Sequence, residues 1–444
     1  MNVIRFSDAS YAERLSQLMA PSSLFDPAIE QQTRLIIEAV RREGDGALVK
    51  YARRFDGVRL SPDKFPVSRA ELSQAAAAAS VSLRRAIAAA LENLETFSRK
   101  SVRKSWQTRN QQEGKIGEKF DPYHRVGVYI PGGAAPLAST ALMTVALAKA
   151  AGCPEIVVCT PCGKDGLVNP SLLYAAGAAG ATEIYRVGGA QAIAAMALGT
   201  PTIRRTQKIF GPGNAYVVAA KRLLFGYVSI DLLPGPSEVL VLADETAKAR
   251  FIAADMLAQA EHGSGHERVW LVTTSGNLIG EVQTELESQL TTLPRREFIE
   301  KALAKKWLAY PGQSLAKAIE LANRLAPEHC EVMTRNPDRV AQSIRTAGAL
   351  CLGHYTPNVL GDYLAGPSHV LPTGGAGASF AGLTVDQFQR RTSVIQYDRA
   401  ALEKSVPIIL EFAEVEGLTA HGRSAAIRLE RNVSRKKGRL NSDE

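Results

Sequence analysis

RVGVYIPGGAAPLASTALMTVALAKAAGCPEIVVCTP, residues 125–161, reads as a strand, a helix and a second strand. RVGVYI (125–130) and EIVVCTP (155–161) are short β-branched runs without polar alternation, the pattern of strands buried on both faces. The stretch between them is long enough for a crossover helix, which the sequence places from near Pro136. Working outward, EIYRV (183–187) and KIF (208–210) repeat the strand signal, and helices are expected from near Pro170 and Gln191. Strands alternating with helices at this spacing predict a parallel sheet covered by helices. The alternation resumes with EVLVLAD (238–244), a helix running to His262, and RVWLVTTS (268–275), and continues through CEVMT (330–334) and ALCLG (349–353). The fold class is therefore α/β, with two Rossmann-like parallel-sheet units.

The first 120 residues read as mostly helical. Asp26-Pro27 supplies an N-cap followed by proline at the first helical position, and Gly44 a stop. Ile29, Thr33, Ile36 and Val40 then share one helical face. Ser68-Arg69-Ala70-Glu71 is a capping box opening an alanine-rich helix. Near Phe380 the alternation fades into a polar segment and a helical C-terminus. The expected organisation is an N-terminal arm (1–22), a larger α/β domain (23–127 with 238–383), a second α/β domain (128–237) and a C-terminal helical extension (384–444). No internal repeat or long linker interrupts it.

A chain of 444 residues, 45% hydrophobic and 22% charged, has the makings of a large core without covalent staples. Its five cysteines are too few and too clustered for a disulfide framework and read as reduced thiols of a cytoplasmic protein. The N-terminus has no basic region followed by an apolar run, and Ala138–Cys153 is too short to span a bilayer. The net charge of +9 is concentrated in part at the C-terminus, in Arg428, Arg431, Arg435, Lys436, Lys437 and Arg439. That tail reads as a solvated end, and no zinc-finger spacing, RNP motif or aromatic–basic stripe points to nucleic-acid binding as the main function.

The strand ends carry glycine: Pro131-Gly132-Gly133, Gly188-Gly189 and Gly211-Pro212-Gly213-Asn214. Ligands of open α/β sheets collect at such carboxyl ends, and glycine lets a phosphate approach helix-start amides. No G-x-G-x-x-G follows the first strand of either unit, so tight turns explain these glycines at least as well. The more specific chemistry lies downstream. Gln259 and His262 are three apart on a predicted helix and project from one face. Asp362 and His421 would complete a nitrogen and oxygen shell suited to zinc, manganese or iron rather than calcium. Neither HExxH nor paired CxxC spacing is present. Cys159-Thr160-Pro161-Cys162 is a CxxC with no helix starting at once behind it, and reads as structural.

Taken together, RVGVYIPGG (125–133), VGGAQAIAAMALGT (187–200), KIFGPGNAYV (208–217) and LLPGPSEVLVLAD (232–244) resemble the histidinol dehydrogenase family. LAQAEHG (257–263), APEHCEVMT (326–334), GDYLAGPSHVLPT (361–373) and EGLTAH (416–421) continue the resemblance in the family's order over nearly the whole chain. The resemblance implies oxidation of L-histidinol to L-histidine through an aldehyde-level intermediate, with two NAD molecules and one zinc per site. It implies Gln259, His262, Asp362 and His421 as zinc ligands, His421 coming from the partner subunit of a homodimer. Glu328 and His329 match the acid–base pair. Ser237, His369 and Glu416 match substrate-binding positions, joined there by Gln259, His262, His329, Asp362 and His421. Tyr129, Gln191 and Asn214 match positions that touch NAD, Tyr129 by stacking or hydrogen bonding.

Two adjacent residues at a strand start point to opposite sides, so Glu328 and His329 can serve one substrate only if the backbone there is irregular. One stretch departs from the family's pattern: Gly263-Ser264-Gly265-His266-Glu267 follows the two helix ligands, and His266 reads as an exposed loop residue. That departure leaves room for a relative acting on another small polar alcohol, such as a sulfonated diol. Retention of His369 and Glu416 favours a cationic, imidazole-bearing substrate. A zinc hydrolase using Glu328 would need no nicotinamide, and the Tyr129, Gln191 and Asn214 segments argue against it.

Overall fold

The architecture comes from a computed structural model that describes residues 2–18, 26–132, 137–263, 265–304, 307–310, 312 and 314–430. Gly133, Pro136, Ser264, part of the expected N-terminal arm and the basic residues from Arg431 onward lie outside the described residues. The chain forms two compact units, Met1–Val102 with Pro122–Phe388 and Arg103–Asp121 with Gln389–Glu444.

The first unit is α/β and holds two parallel sheets. The smaller has the strand order Glu183–Tyr185, Glu155–Cys159, Arg125–Tyr129, Lys208–Phe210, Ser229–Ile230. Val126, Val128 and Ile130 face one apolar cluster and Tyr129 another, so both faces are buried. This explains the unbroken apolar runs. The larger sheet has six strands, in the order Asn2–Arg5, Trp307–Tyr310, Arg268–Thr273, Glu238–Ala243, His329–Met333, Ala349–Leu352, all parallel. Val239, Val241 and Ala243 pack to one side, Leu240 and Leu242 to the other.

The helix starts follow local chemistry. Asp26 caps Pro27–Glu43 by accepting from the Ala28 N–H, and that helix buries Thr33, Ile36 and Val40. Ser68 and Glu71 form the reciprocal capping box. Asn169 caps Pro170–Ala179. The helix expected near Gln191 begins two residues earlier, at Gly189.

Several elements correct the sequence reading. The first 120 residues are mostly helical, as expected, but they also hold strands: Asn2–Arg5 is an edge strand, and Trp106–Arg109 and Lys115–Pro122 pair antiparallel. The polar segment after Phe380 contains the strand Gln389–Gln396, which joins that pair in a three-stranded sheet. The second unit is this sheet with the helices Arg399–Val415 and Thr419–Ala426. All five cysteines are free thiols, and burial pushes the Cys159 thiol far up, so CxxC here is packing material. Among the described residues no helix is long and apolar enough to cross a membrane.

Candidate active site

The order of the larger sheet locates the site. The chain enters at Glu238–Ala243, moves outward through Arg268–Thr273 and Trp307–Tyr310, then returns to lay His329–Met333 on the other flank. His329 sits beside Val239 in register, so Glu328 and Glu238 meet at the amino ends of the two central strands. The helix Ala249–Ala260 runs back antiparallel to the strands and delivers Gln259 and His262 to the same edge. Catalytic candidates thus gather at the amino edge of this sheet. The glycine-bearing loops occupy the carboxyl edge of the smaller one.

Ala326 ends the helix Leu315–Leu325 with a left-handed φ of 45°, a conformation uncommon outside glycine, and the strand begins at His329. Although they are neighbours, Glu328 and His329 both grip the backbone of one residue, Glu238. The Glu238 N–H donates to Glu328 Oε2 (2.7 Å), and His329 Nδ1–H donates to the Glu238 carbonyl (3.0 Å). Glu328 Oε2 lies 3.7 Å from His329 Nδ1.

A carbonyl can only accept, so the proton of a neutral His329 sits on Nδ1 and the lone pair on Nε2. Nε2 is 3.5 Å from Asp362 Oδ1, and His369 Nδ1 is 3.8 Å from the same oxygen. Burial would depress His329, but the charges of Glu328 and Asp362 outweigh it and hold the imidazole up at about 9. Burial pushes Glu328 up to about 8 against the pull of His329. His369 is held down to about 4 by burial, and its Nε2 is enclosed with no hydrogen-bond partner among the described residues. Asp362 resists burial and stays below the usual carboxylate range, chiefly because His329 hydrogen-bonds to it and places positive charge beside it. Ser237 immediately precedes the Glu238 strand and is half-buried.

The donor set suits zinc. His262 is exposed, and its Nδ1–H donates to the Gln259 carbonyl (3.0 Å), which directs Nε2 outward as metal-binding imidazoles require. Gln259 is fully buried, with its carboxamide oxygen accepting from Asn358 Nδ2 (2.9 Å) and its Nε2 unpartnered. Asp362 supplies an ionised oxygen one helical turn beyond Asn358. Among the described residues no three His, Cys, Asp or Glu side chains form a metal-binding group. The first unit offers two of that kind, His262 and Asp362, with Gln259 as an amide donor. His421 and Glu416 belong to the second unit, on the helix Thr419–Ala426 and just before it, and both are exposed.

The residues expected from the resemblance to touch NAD lie at the carboxyl edge of the smaller sheet. Tyr129 is enclosed, its hydroxyl accepts from the Gly189 N–H (3.0 Å), and burial pushes the phenol up to about 12. Its ring offers no face for stacking in this arrangement; its polar group is the hydroxyl. Gln191 is buried with Oε1 lacking a donor, and exposed Asn214 caps the helix Ala215–Leu224. Packing accounts for the glycines. A Cβ on Gly211 would lie 2.1 Å from the Tyr129 carbonyl oxygen, and one on Gly188 would lie 2.6 Å from Pro161 Cβ. Buried Lys221 and Asp231 pair with each other and clasp Gly211, whose N–H donates to Asp231 (2.7 Å) and whose carbonyl accepts from Lys221 (2.9 Å).

Sequence reasoning missed Glu238, whose backbone holds both catalytic candidates, and the buried polar residues Asn358, Glu331 and Asp255. Spacing was the available signal. Asp255 and Asn358 each stand four residues before an expected ligand, and Glu331 stands two after His329.

Comparison with known proteins identifies the family. The family model for histidinol dehydrogenase matches residues 21–429. The chain is 44% identical over 422 residues to the histidinol dehydrogenase of Geobacillus kaustophilus, covering 94% of this chain and 99% of the relative. It is 42% identical over 435 residues to that of Bacillus subtilis, covering 97% and 100%. The crystal structure of histidinol dehydrogenase from Elizabethkingia anophelis superposes with a TM-score of 0.91 at 36% identity, covering 97% of this chain and 98% of that one. The chain belongs to the histidinol dehydrogenase family.

Proposed function

We propose that this protein oxidises L-histidinol to L-histidine in two successive steps with NAD, as the last reaction of histidine biosynthesis. It acts as a zinc-containing homodimer in which His421 and Glu416 of each chain complete the other's site. The observation that carries this reading is His329, whose Nδ1–H is committed to the Glu238 carbonyl while Nε2 is turned toward Asp362.

Zinc would hold the substrate's amine and imidazole as a template, and NAD would accept the hydride of each oxidation. Removing hydride from an alcohol requires removing its hydroxyl proton, and His329 Nε2 is the base positioned for that. The second oxidation needs water added at the aldehyde carbon. Glu328 is suited to activate that water. Its Oε2 is anchored by the Glu238 N–H, Oε1 is left to take the water's proton, and burial favours the protonated product. His369 stays neutral and offers an unpartnered buried Nε2 to the substrate. Glu416 would bind the substrate ammonium.

The test is substrate choice. Purified protein supplied with zinc and NAD should form NADH with L-histidinol and not with a sulfonated diol. Inactivity on L-histidinol beside activity on the acidic diol would refute the reading, and turnover without NADH absorbance would favour a hydrolase.

A further inference from the structure

Beneath the site lies a second layer of buried polar residues with the same three supports. Asp255 precedes Gln259 by one turn on the helix Ala249–Ala260. Asn358 precedes Asp362 by one turn, and the Asp362 N–H donates to the Asn358 carbonyl (3.2 Å). Glu331 follows His329 by two residues on its strand, hence on the same face. Each upper-layer residue stands above a lower one, and the lower three are joined. Glu331 Oε1 accepts from the Asn358 N–H (2.7 Å). Asp255 is the charged neighbour of Glu331 here, and together with burial it pushes the Glu331 carboxyl well above the usual carboxylate range, so the pair favours holding a proton.

Asn358 is the link between layers. Its backbone is held by Glu331, and its Nδ2–H reaches the Gln259 carboxamide oxygen at 2.9 Å. Both amides are almost wholly buried, at 1% and 0% exposure, and each keeps one polar atom unpartnered, Asn358 Oδ1 and Gln259 Nε2. A glutamine side chain has three rotatable bonds, and a carboxamide is a weak ligand compared with a carboxylate or imidazole. The position of its oxygen therefore decides how much it contributes. Among the described residues no other hydrogen bond fixes that oxygen.

We propose that Asn358, anchored by Glu331, is a positioning residue that fixes the Gln259 carboxamide and thereby sets the affinity of the site for zinc. This rests on the zinc reading above, and its test separates the two. Outer partners of metal ligands typically change affinity by about 10–100-fold.

Zinc affinity is measured by competition with a chromophoric chelator on the full-length protein, and the melting temperature of the zinc-free form is recorded beside it. Asn358→Ala should bind zinc at least about tenfold more weakly while the zinc-free melting temperature stays near that of the parent. Glu331→Gln, which can still accept from the Asn358 N–H and donate to Asp255, should keep parental affinity. Glu331→Ala should weaken zinc as Asn358→Ala does. Should Asn358→Ala fail to fold, Asn358→Ser, whose hydroxyl is too short to reach Gln259, carries the same expectation. Zinc affinity within twofold of the parent in the folded Asn358 variant overturns the inference and leaves the zinc reading standing. Failure of the unaltered protein to bind one zinc overturns the zinc reading itself.

Discussion

His329 Nε2 faces Asp362 Oδ1 across 3.5 Å, while the opposite ring nitrogen is tied to the Glu238 carbonyl at 3.0 Å. A neutral imidazole held this way turns a lone pair toward a carboxylate. That arrangement is unfavourable unless a proton, a cation or a substrate hydroxyl intervenes. The site is thus built to hold a proton at Nε2 and to pass it on.

Replacing His329 by asparagine removes this base and leaves the expected ligands Gln259, His262 and Asp362 in place. His329→Asn should retain zinc, measured by metal analysis of the purified protein. NADH formation should fall by about 10²–10⁴-fold, the usual contribution of a positioned base. Loss of zinc in this variant would assign His329 to the metal instead.

His262→Asn should lose zinc and activity together. Its Nδ1–H is used on the Gln259 carbonyl, so its only function left is at Nε2. Normal zinc content in the variant would remove His262 from the ligand set.

The pH dependence follows from the same geometry. His329 is held up at about 9 and Glu328 at about 8, so the basic forms accumulate on the alkaline side. The rate of the alcohol oxidation should rise from pH 7 to 9, steepest where protonated His329 dominates. Glu328→Gln removes an anion that stabilises the imidazolium, so it should move this rise to lower pH. A profile that stays put in the variant would show that Glu328 does not govern the base.

Lys221 and Asp231 are both fully buried and together clasp the backbone of Gly211. Removing one partner strands the other charge, so Lys221→Met should cost about 3–5 kcal/mol in urea unfolding. Replacing both partners with apolar residues should cost less than either single change. Equal losses for single and double variants would contradict a desolvated pair.

The elements legible in the sequence are those whose burial leaves a mark. The strand runs at 125, 155, 183, 208, 238, 268, 330 and 349 are apolar because helices cover both faces. Trp106–Arg109 is exposed at all four residues, and Gln389–Gln396 has no fully buried position, so neither carries a hydrophobic period.

At the site, His262, His329 and Asp362 are visible through motif and resemblance. Glu238 is not, because it acts through its N–H and carbonyl, which every residue possesses. Asn358, Glu331 and Asp255 read as ordinary polar residues until the fold stacks them under the ligands. Strand alternation would send Glu328 and His329 to opposite sides, so their convergence on the Glu238 backbone is also invisible in the sequence.

If one site carries the same carbon through two hydride transfers, both appear as NADH and can be counted. With L-histidinol limiting and NAD in excess, close to two NADH should form for each L-histidinol consumed, with L-histidine as product. A ratio near one, with the aldehyde released, would make the protein a simple alcohol dehydrogenase and contradict the two-step reading.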